Sequence, residues 1–311
     1  MRKAFIEAII ELAERDARVL LLTADLGYTV LEPFAKRFPE RFFNVGVAEQ
    51  NMIAVACGLA EGGFVPYAYS IATFAVLRPY EFVRNGPIAH RLPVRIVGVG
   101  GGFEYGHDGL THHALEDVAV MRAQPGITVI APADAQQARS VFLATSDLPG
   151  PVYYRIGKSD KETVPGLGGR FELGRVEMVR DGADLVMLAM GPVAREAVMA
   201  SDMLARRGVA CAVGVVSTLN PPPYEDLAGI LANYSLAMTV EAHYLVGGLG
   251  SLVSETVAER GLPCRVLRRG IASSMHGVSG DARYLLDCHG LSCESLTEAA
   301  LGALQGSESV V

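Results

Sequence analysis

Helical and strand-like patterns alternate along this 311-residue chain, and that alternation constrains its fold more than any other feature. Short continuous apolar runs end in polar residues or glycine, which is typical of strands buried on both faces of a parallel sheet. In the first half these runs are RVLLLTAD, FVPYAYS, LPVRIVGVG, GITVIAPAD and GPVYYRIG. Helical patterns lie between them, beginning with one over residues 2–15 and including one over 73–85. The sequence therefore predicts an α/β architecture.

A polar, glycine-rich segment, GKSDKETVPGLGGRFELG, interrupts this alternation near the middle of the chain. A second alternating set follows, with strands predicted near 184–190, 209–216, 235–240 and 264–268. We predict two doubly wound α/β domains with mainly parallel sheets. The first covers residues 1–157 and the second 179–311, with a linker over 158–178.

Composition excludes several classes of function. Half of the residues are hydrophobic and the net charge is -7, with no basic run, so a nucleic-acid partner is not expected. No stretch of 18 apolar residues occurs, and the acid-containing start MRKAFIEAIIELAERD predicts neither a signal peptide nor a membrane span. The five cysteines form no Cys-x-x-Cys pair. A reducing, cytoplasmic compartment is therefore expected.

Ligands of open parallel sheets bind beyond the carboxyl ends of the strands. Three polar clusters follow predicted strands: TADLGYT, NVGVAEQ and GGGFEYGHDGLTHH. In the second cluster Glu49 stands at the head of an apolar helix. It is either a helix N-terminal acid, favoured by the macrodipole by roughly 0.3–1 kcal/mol, or a functional carboxyl that burial keeps protonated.

The segment FNVGVAEQNM resembles the corresponding segment of transketolases and deoxyxylulose-phosphate synthases. The whole chain resembles the second half of a transketolase, and most of all the shorter subunit of split transketolases. The resemblance implies a thiamine-diphosphate-dependent transfer of a two-carbon ketol unit from a ketose to an aldehyde. It also makes Glu49 the catalytic acid on the cofactor's aminopyrimidine, Phe74 its stacking partner, and Asp25 a third cofactor-binding residue.

The loop GHDGLTHHALED resembles the family's substrate loop. By that resemblance Asp108 binds sugar hydroxyls and His112 acts at the reacting carbon. Without the resemblance, three histidines in seven residues would suggest a metal site. No fourth ligand pattern supports that alternative, so no metal ligand is predicted in this chain.

A phosphate site is the third implication of the resemblance. Arg2, Thr29 and Arg155 match residues that hold substrate phosphate, and guanidinium forks suit that task. Gly100 stands where transketolases carry a phosphate-binding histidine. Weaker use of ordinary sugar phosphates is therefore expected, with the glycine-rich loop over 100–106 making room for a different acceptor.

The Gly-Asp-Gly motif that holds Mg2+ and diphosphate in thiamine enzymes is missing from the sequence. We therefore expect a separate thiamine-diphosphate-binding subunit to hold the Mg2+. The family resemblance also implies two copies of each subunit and self-association through the C-terminal domain. Glu241 and His243, in VEAHYLVGGLGS, are interpreted as structural. Two alternatives stay open: an acyloin-forming enzyme with a 2-oxoacid donor, like deoxyxylulose-phosphate synthase, and a noncatalytic scaffold subunit.

Overall fold

The computed structural model describes residues 1–273 and 278–306. The strands of the first part are β1 (Val19–Thr23), β2 (Phe42–Asn44), β3 (Val65–Ile71), β4 (Arg95–Val99), β5 (Thr128–Ile130) and β6 (Val152–Ile156). Its helices are α1 (Arg2–Arg15), α2 (Glu32–Arg37), α3 (Glu49–Glu61), α4 (Ala72–Val76), α5 (Tyr80–Val83), α6 (Asp117–Arg122) and α7 (Ala135–Ala144). The predicted alternation of strands and helices is present.

The second part has the same kind of architecture. Its strands are β7 (Val176–Arg180), β8 (Leu185–Met190), β9 (Cys211–Val216), β10 (Thr218–Asn220), β11 (Leu236–Tyr244) and β12 (Arg265–Ile271). Its helices are α8 (Ala194–Ala205), α9 (Tyr224–Leu231), α10 (Leu249–Arg260), α11 (Ala282–Cys288) and α12 (Cys293–Leu304).

Two mixed sheets, mostly parallel, organise these elements. The first has the order β10-β5-β6-β4-β3-β1-β2 and the second β12-β11-β8-β9-β7. The antiparallel pairs are β10 with β5 and β7 with β9, and the other pairs are parallel. The predicted fold class is therefore confirmed.

Apolar packing covers both faces of each sheet. In the first sheet, Phe5 of α1 and Phe142 of α7 pack on one face, while Met52 and Ile53 of α3 pack on the other. A single apolar cluster continues from α3 into the second sheet and α10. The two parts of the chain therefore share one core.

Two local predictions need correction. The helix predicted over residues 73–85 is interrupted, because Pro79 cannot continue α4; α5 and a π-helical turn, Arg84–Ile88, follow. The end of the predicted linker, residues 176–178, is the start of β7. Among the described residues, no helix is both long and apolar enough to cross a membrane.

Candidate active site

Glu49 lies at the point where strand β2 gives way to helix α3. Gly46 turns the chain with a φ of +75°, and Ala48, the residue before the helix, offers no capping side chain. Glu49 is the first helical residue and its side chain is 1 % exposed. Its carboxylate accepts hydrogen bonds from Ser70 Oγ at 3.2 Å and from Arg78 Nη1 at 2.9 Å. A buried carboxyl at a helix N-terminus is thus held by one neutral and one cationic donor.

Phe74 presents a ring beside this carboxyl. It lies on α4, directly after β3, and is half-buried. The guanidinium carbon of Arg78 lies 4.0 Å from the ring centroid, over its face. The imidazole of His112 meets the Phe74 ring edge-on, with centroids 5.0 Å apart. The structure therefore brings Glu49, Phe74 and His112 together, with Arg78 between the first two.

The substrate loop predicted from sequence runs through two 3₁₀ turns, Gly106–Asp108 and Leu110–His112. Gly109 joins them with a φ of +77°, a conformation that glycine adopts without strain. The Asp108 side chain is exposed, and His112 Nδ1 lies 3.0 Å from Thr111 Oγ1. Asp108 is therefore open to a ligand, while His112 is half-buried against the Phe74 ring.

The neighbouring His113 has a different environment. It is buried, its Nε2 lies 3.3 Å from Gly106 O, and its ring meets Phe103 edge-on at 5.1 Å. These contacts hold the loop in shape. In the part of the chain that the structure describes, no group of three His, Cys, Asp or Glu side chains is arranged to hold a metal ion.

The loop after β1 carries backbone strain at two predicted site residues. Asp25 has a φ of +57° and Thr29 a φ of +65°, values that non-glycine residues seldom adopt. Asn44, at the end of β2, donates to Asp25 Oδ1 at 2.9 Å, and Tyr28 OH donates to the same oxygen at 3.2 Å. Such strain costs about 1–3 kcal/mol per residue and clusters at functional loops.

Arg155 makes several buried hydrogen bonds that the sequence did not indicate. It is buried, and its Nε donates to both oxygens of buried Asp117, at 3.2 and 2.9 Å. Its Nη2 donates to Ala114 O and to Ala242 O in the second sheet, both at 2.9 Å. Arg155 therefore ties the two parts of the chain together. Its phosphate-binding role stays a prediction that rests on Nη1.

The other two predicted phosphate ligands lie apart from it. Arg2 Nε donates to Lys158 O at 3.4 Å, while Thr29 is exposed and its backbone N–H donates to Glu32 at 2.8 Å. Within residues 1–273 and 278–306, no hydrogen bond or ion pair joins Arg2, Thr29 and Arg155 to one another. The structure does not bring this trio into contact.

Gly100 has its own packing partner. It has a φ of +79°, and a Cβ built there would come within 2.2 Å of the Tyr105 ring. Lys158 Nζ lies 3.9 Å from the centroid of that ring. The space beside Gly100 is thus occupied by Tyr105, so room for a different acceptor at this point would require the Tyr105 ring to move.

Glu241 and His243 are buried at the contact between the two parts of the chain. Glu241 caps α10, accepting from Leu249 N and Gly250 N at 2.7 Å each, and burial raises its pKa to about 7. Burial also lowers the pKa of His243 to about 4. Its Nε2 accepts from Ala119 N at 3.3 Å while Nδ1 donates to Tyr244 O at 2.7 Å. These contacts suit a structural neutral histidine.

Glu49 and Phe74 could together bind the flat heteroaromatic part of a larger cofactor. A half-buried aromatic face and a buried carboxyl can take a flat heteroaromatic ring by stacking and by a hydrogen bond to a ring nitrogen. Sequence reasoning found Glu49 and Phe74 but gave no role to Arg78 or Ser70. Arg78 follows Phe74 by four residues, the spacing at which helical side chains meet, and that was the available signal.

The chain matches two known family descriptions over most of its length. Residues 1–162 match the family description "Transketolase, pyrimidine binding domain", and residues 174–296 match "Transketolase, C-terminal domain". A putative transketolase C-terminal section of Methanocaldococcus jannaschii is 39% identical over 301 residues, covering 96% of this chain and 94% of that protein. An apulose-4-phosphate transketolase subunit of Phocaeicola vulgatus is 34% identical, covering 96% of both proteins.

A solved structure supports the same relationship. It is described as a split gene transketolase, inactive beta4 tetramer, and is 35% identical to this chain. The two superpose with a TM-score of 0.88 over 99% of each chain.

Proposed function

The chain belongs to the transketolase family, and on that premise we propose that it is the pyrimidine-binding subunit of a split thiamine-diphosphate enzyme. The enzyme would transfer a two-carbon ketol unit from a ketose to an aldehyde acceptor. The observation that carries the proposal is the buried Glu49 carboxyl beside the half-buried Phe74 ring, with His112 on the ring's edge.

Glu49 and Phe74 would hold the aminopyrimidine of thiamine diphosphate. Phe74 would offer a flat face for stacking, and Glu49 would hold or move a proton at a ring nitrogen. The cofactor, when bound, supplies the carbon nucleophile that opens the bond next to a ketose carbonyl. Burial of Glu49 would keep solvent water away from the carboxyl group that contacts the ring.

Asp108 and His112 would act on the substrate. Asp108 is an exposed carboxylate that can accept hydrogen bonds from sugar hydroxyls. His112 contacts the same ring that would hold the cofactor, so its imidazole could take or return a proton at a substrate oxygen. Asp25, held by Asn44 and Tyr28, would line the cofactor side of the site.

A partner subunit would hold the diphosphate and its Mg2+. Around α3 the chain exposes apolar side chains that a monomer normally buries: Val47 before the helix, Phe64 after it and Phe82 on neighbouring α5. Between them the helix presents Ala54 and Gly58, which allow close approach of another backbone. Because this surface begins two residues before Glu49, we propose that the diphosphate-binding subunit docks there and completes the site.

The test is reconstitution. The chain is mixed with its proposed partner subunit, thiamine diphosphate and Mg2+, and a ketose donor and an aldehyde acceptor are supplied. Ketol transfer that needs both subunits supports the proposal. Replacing the ketose with pyruvate tests the 2-oxoacid alternative in the same assay.

Glu49→Gln provides the matched variant, because it keeps the side-chain shape and removes the proton. Turnover of the reconstituted enzyme should fall by roughly 100- to 10,000-fold, the usual value of one proton-transfer group. Glu7→Gln, on the exposed side of α1 and away from α3, should leave turnover unchanged. Full activity of Glu49→Gln would make Glu49 a helix-head acid and this chain a scaffold.

A further inference from the structure

Arg78 occupies both groups that the proposed cofactor would use. Its Nη1 lies 2.9 Å from Glu49 Oε2, and its guanidinium carbon lies 4.0 Å from the centroid of the Phe74 ring. One side chain therefore neutralises the buried carboxyl and covers the aromatic face at the same time.

These contacts are incompatible with the role proposed for Glu49. The Arg78 guanidinium already occupies Glu49 Oε2, so that oxygen is not available to a ring nitrogen while the contact lasts. Likewise, a heteroaromatic ring and a guanidinium cannot both stack on the same face of Phe74. Arg78 and an aminopyrimidine therefore compete for Glu49 and Phe74.

The Arg78 side chain can move away from Glu49 and Phe74. It follows the end of α4, its side chain is 43 % exposed, and its described polar contact is the one with Glu49. Phe74 and Glu49 are fixed by α4 and α3, so the exposed, flexible partner is the one that moves.

We propose that Arg78 is a latch that keeps the pyrimidine pocket closed in the free subunit and must swing out before a pyrimidine can bind. The proposal rests on the proposed function, because it assumes that the pocket takes an aminopyrimidine. The latch prevents a buried carboxylate from being left without a counter-charge while the site is incomplete.

The experiment measures thiamine binding to the purified full-length chain by NMR titration, with no partner subunit present. Arg78→Met keeps a long side chain but removes the charge and the planar fork. We expect it to bind thiamine about 5- to 30-fold more tightly than wild type, or about 1–2 kcal/mol at roughly 1.4 kcal/mol per tenfold change. Arg78→Lys retains the charge without the stacking plane and should fall between the two.

Two further variants make the result specific. Arg37→Met removes another exposed arginine, paired with Glu14 away from the pocket, and should bind thiamine as wild type does. Adding Glu49→Leu to Arg78→Met should abolish the gain, because a leucine side chain offers the pyrimidine no hydrogen bond. A gain that persists in this double variant would place the thiamine elsewhere and overturn the latch.

The outcomes separate the latch from the function on which it rests. Saturable, Glu49-dependent binding of equal strength in wild type and Arg78→Met would overturn the latch alone. Weaker binding by Arg78→Met would make Arg78 a cofactor ligand, which also overturns the latch. Absence of thiamine binding in every variant, together with no ketol transfer after reconstitution, would overturn both proposals.

Discussion

At the scale of single residues, buried polar groups in this protein fall into two kinds. Arg155 and Asp117 satisfy one another and reach carbonyls of both parts of the chain. Glu49 is satisfied by an exposed arginine that can depart. The Arg155–Asp117 pair contributes to the structure, whereas departure of Arg78 would leave the Glu49 carboxyl available for chemistry.

Sequence reasoning could separate these kinds only in part. It placed Glu49 at a helix head, because glycine and apolar residues around it define the turn and the helix. It assigned Arg155 to phosphate, since the guanidinium fork suits that ligand. The pairing of Arg155 with Asp117 depends on the approach of α6 to β6, which no local sequence pattern specifies.

His243 gives a residue-scale prediction about pH. Burial lowers its pKa to about 4 from a usual value near 6.5, so the unfolded chain binds the proton more readily. Its contribution to stability is therefore complete above pH 6.5 and is lost as pH falls towards 4. The pKa of nearby Glu241 is raised to about 7, so its contribution to the free energy of unfolding has the opposite pH dependence. That contribution is lost as pH rises from 4.5 through 7. Asp117 and Arg155 also face His243.

The measurement is therefore a comparison of variants. Between pH 7.5 and pH 5, urea unfolding should show wild type losing about 2 kcal/mol relative to His243→Gln, from about 1.4 kcal/mol per pH unit over the window below 6.5. The exposed His90→Gln serves as control and should follow wild type. Parallel pH profiles for wild type and His243→Gln would show that His243 is readily protonated in the fold.

At the scale of secondary-structure elements, the strands with continuous apolar runs were predictable and the edge elements were not. β7 mixes buried and half-buried residues and follows a polar, glycine-rich segment, so its first residues were assigned to the linker. β10 has three residues and joins the sheet of the other part of the chain, where tertiary contact outweighs local preference. Helix α2 and helix α11 were also missed, because both are short.

Gly98 gives the prediction for an element. It lies in β4, and a Cβ built there would approach Tyr153 OH to 2.8 Å and Ala72 Cα to 2.9 Å. Ala72 begins α4, which carries Phe74, so Gly98→Ala must displace the helix that presents the stacking ring. We expect a loss of about 1–3 kcal/mol in unfolding free energy, measured by urea denaturation, and weaker cofactor use by the reconstituted enzyme.

A second glycine provides the control for that measurement. Gly229 lies within α9 and has open space where a Cβ would stand. Gly229→Ala should therefore leave stability unchanged or raise it by up to about 1 kcal/mol. Equal stability of Gly98→Ala and wild type would show that α4 is not fixed by its close contact with β4.

At the scale of the whole molecule, the chain contains two α/β parts, and we propose that a second subunit completes its site. The alternation of apolar runs and helical periods was enough to predict two mainly parallel sheets. The shared apolar core between them could not be predicted, because it depends on how α6 packs against β10 and α10. The exposed apolar surface around α3 has the same origin, since exposure is a property of the assembled fold.

The last prediction concerns assembly. The purified chain should bind thiamine diphosphate weakly and without Mg2+ dependence, whereas the mixture with the diphosphate-binding subunit should bind it tightly. Gly58→Arg adds a charge at a position with open space, so the fold should persist. Burying that charge in the interface costs several kcal/mol, so subunit affinity should fall by about 100-fold or more.

Calorimetry measures cofactor binding and light scattering measures the complex. Gly229→Arg, on α9, is the matched control, because it adds the same charge to an exposed helical glycine away from α3. It should assemble as wild type does. Undiminished assembly of Gly58→Arg would show that the partner binds another surface. Tight, Mg2+-dependent cofactor binding by the chain alone would show that no partner is needed to hold the cofactor. Because the two measurements are independent, the position of the interface and the division of the cofactor site between subunits are tested separately.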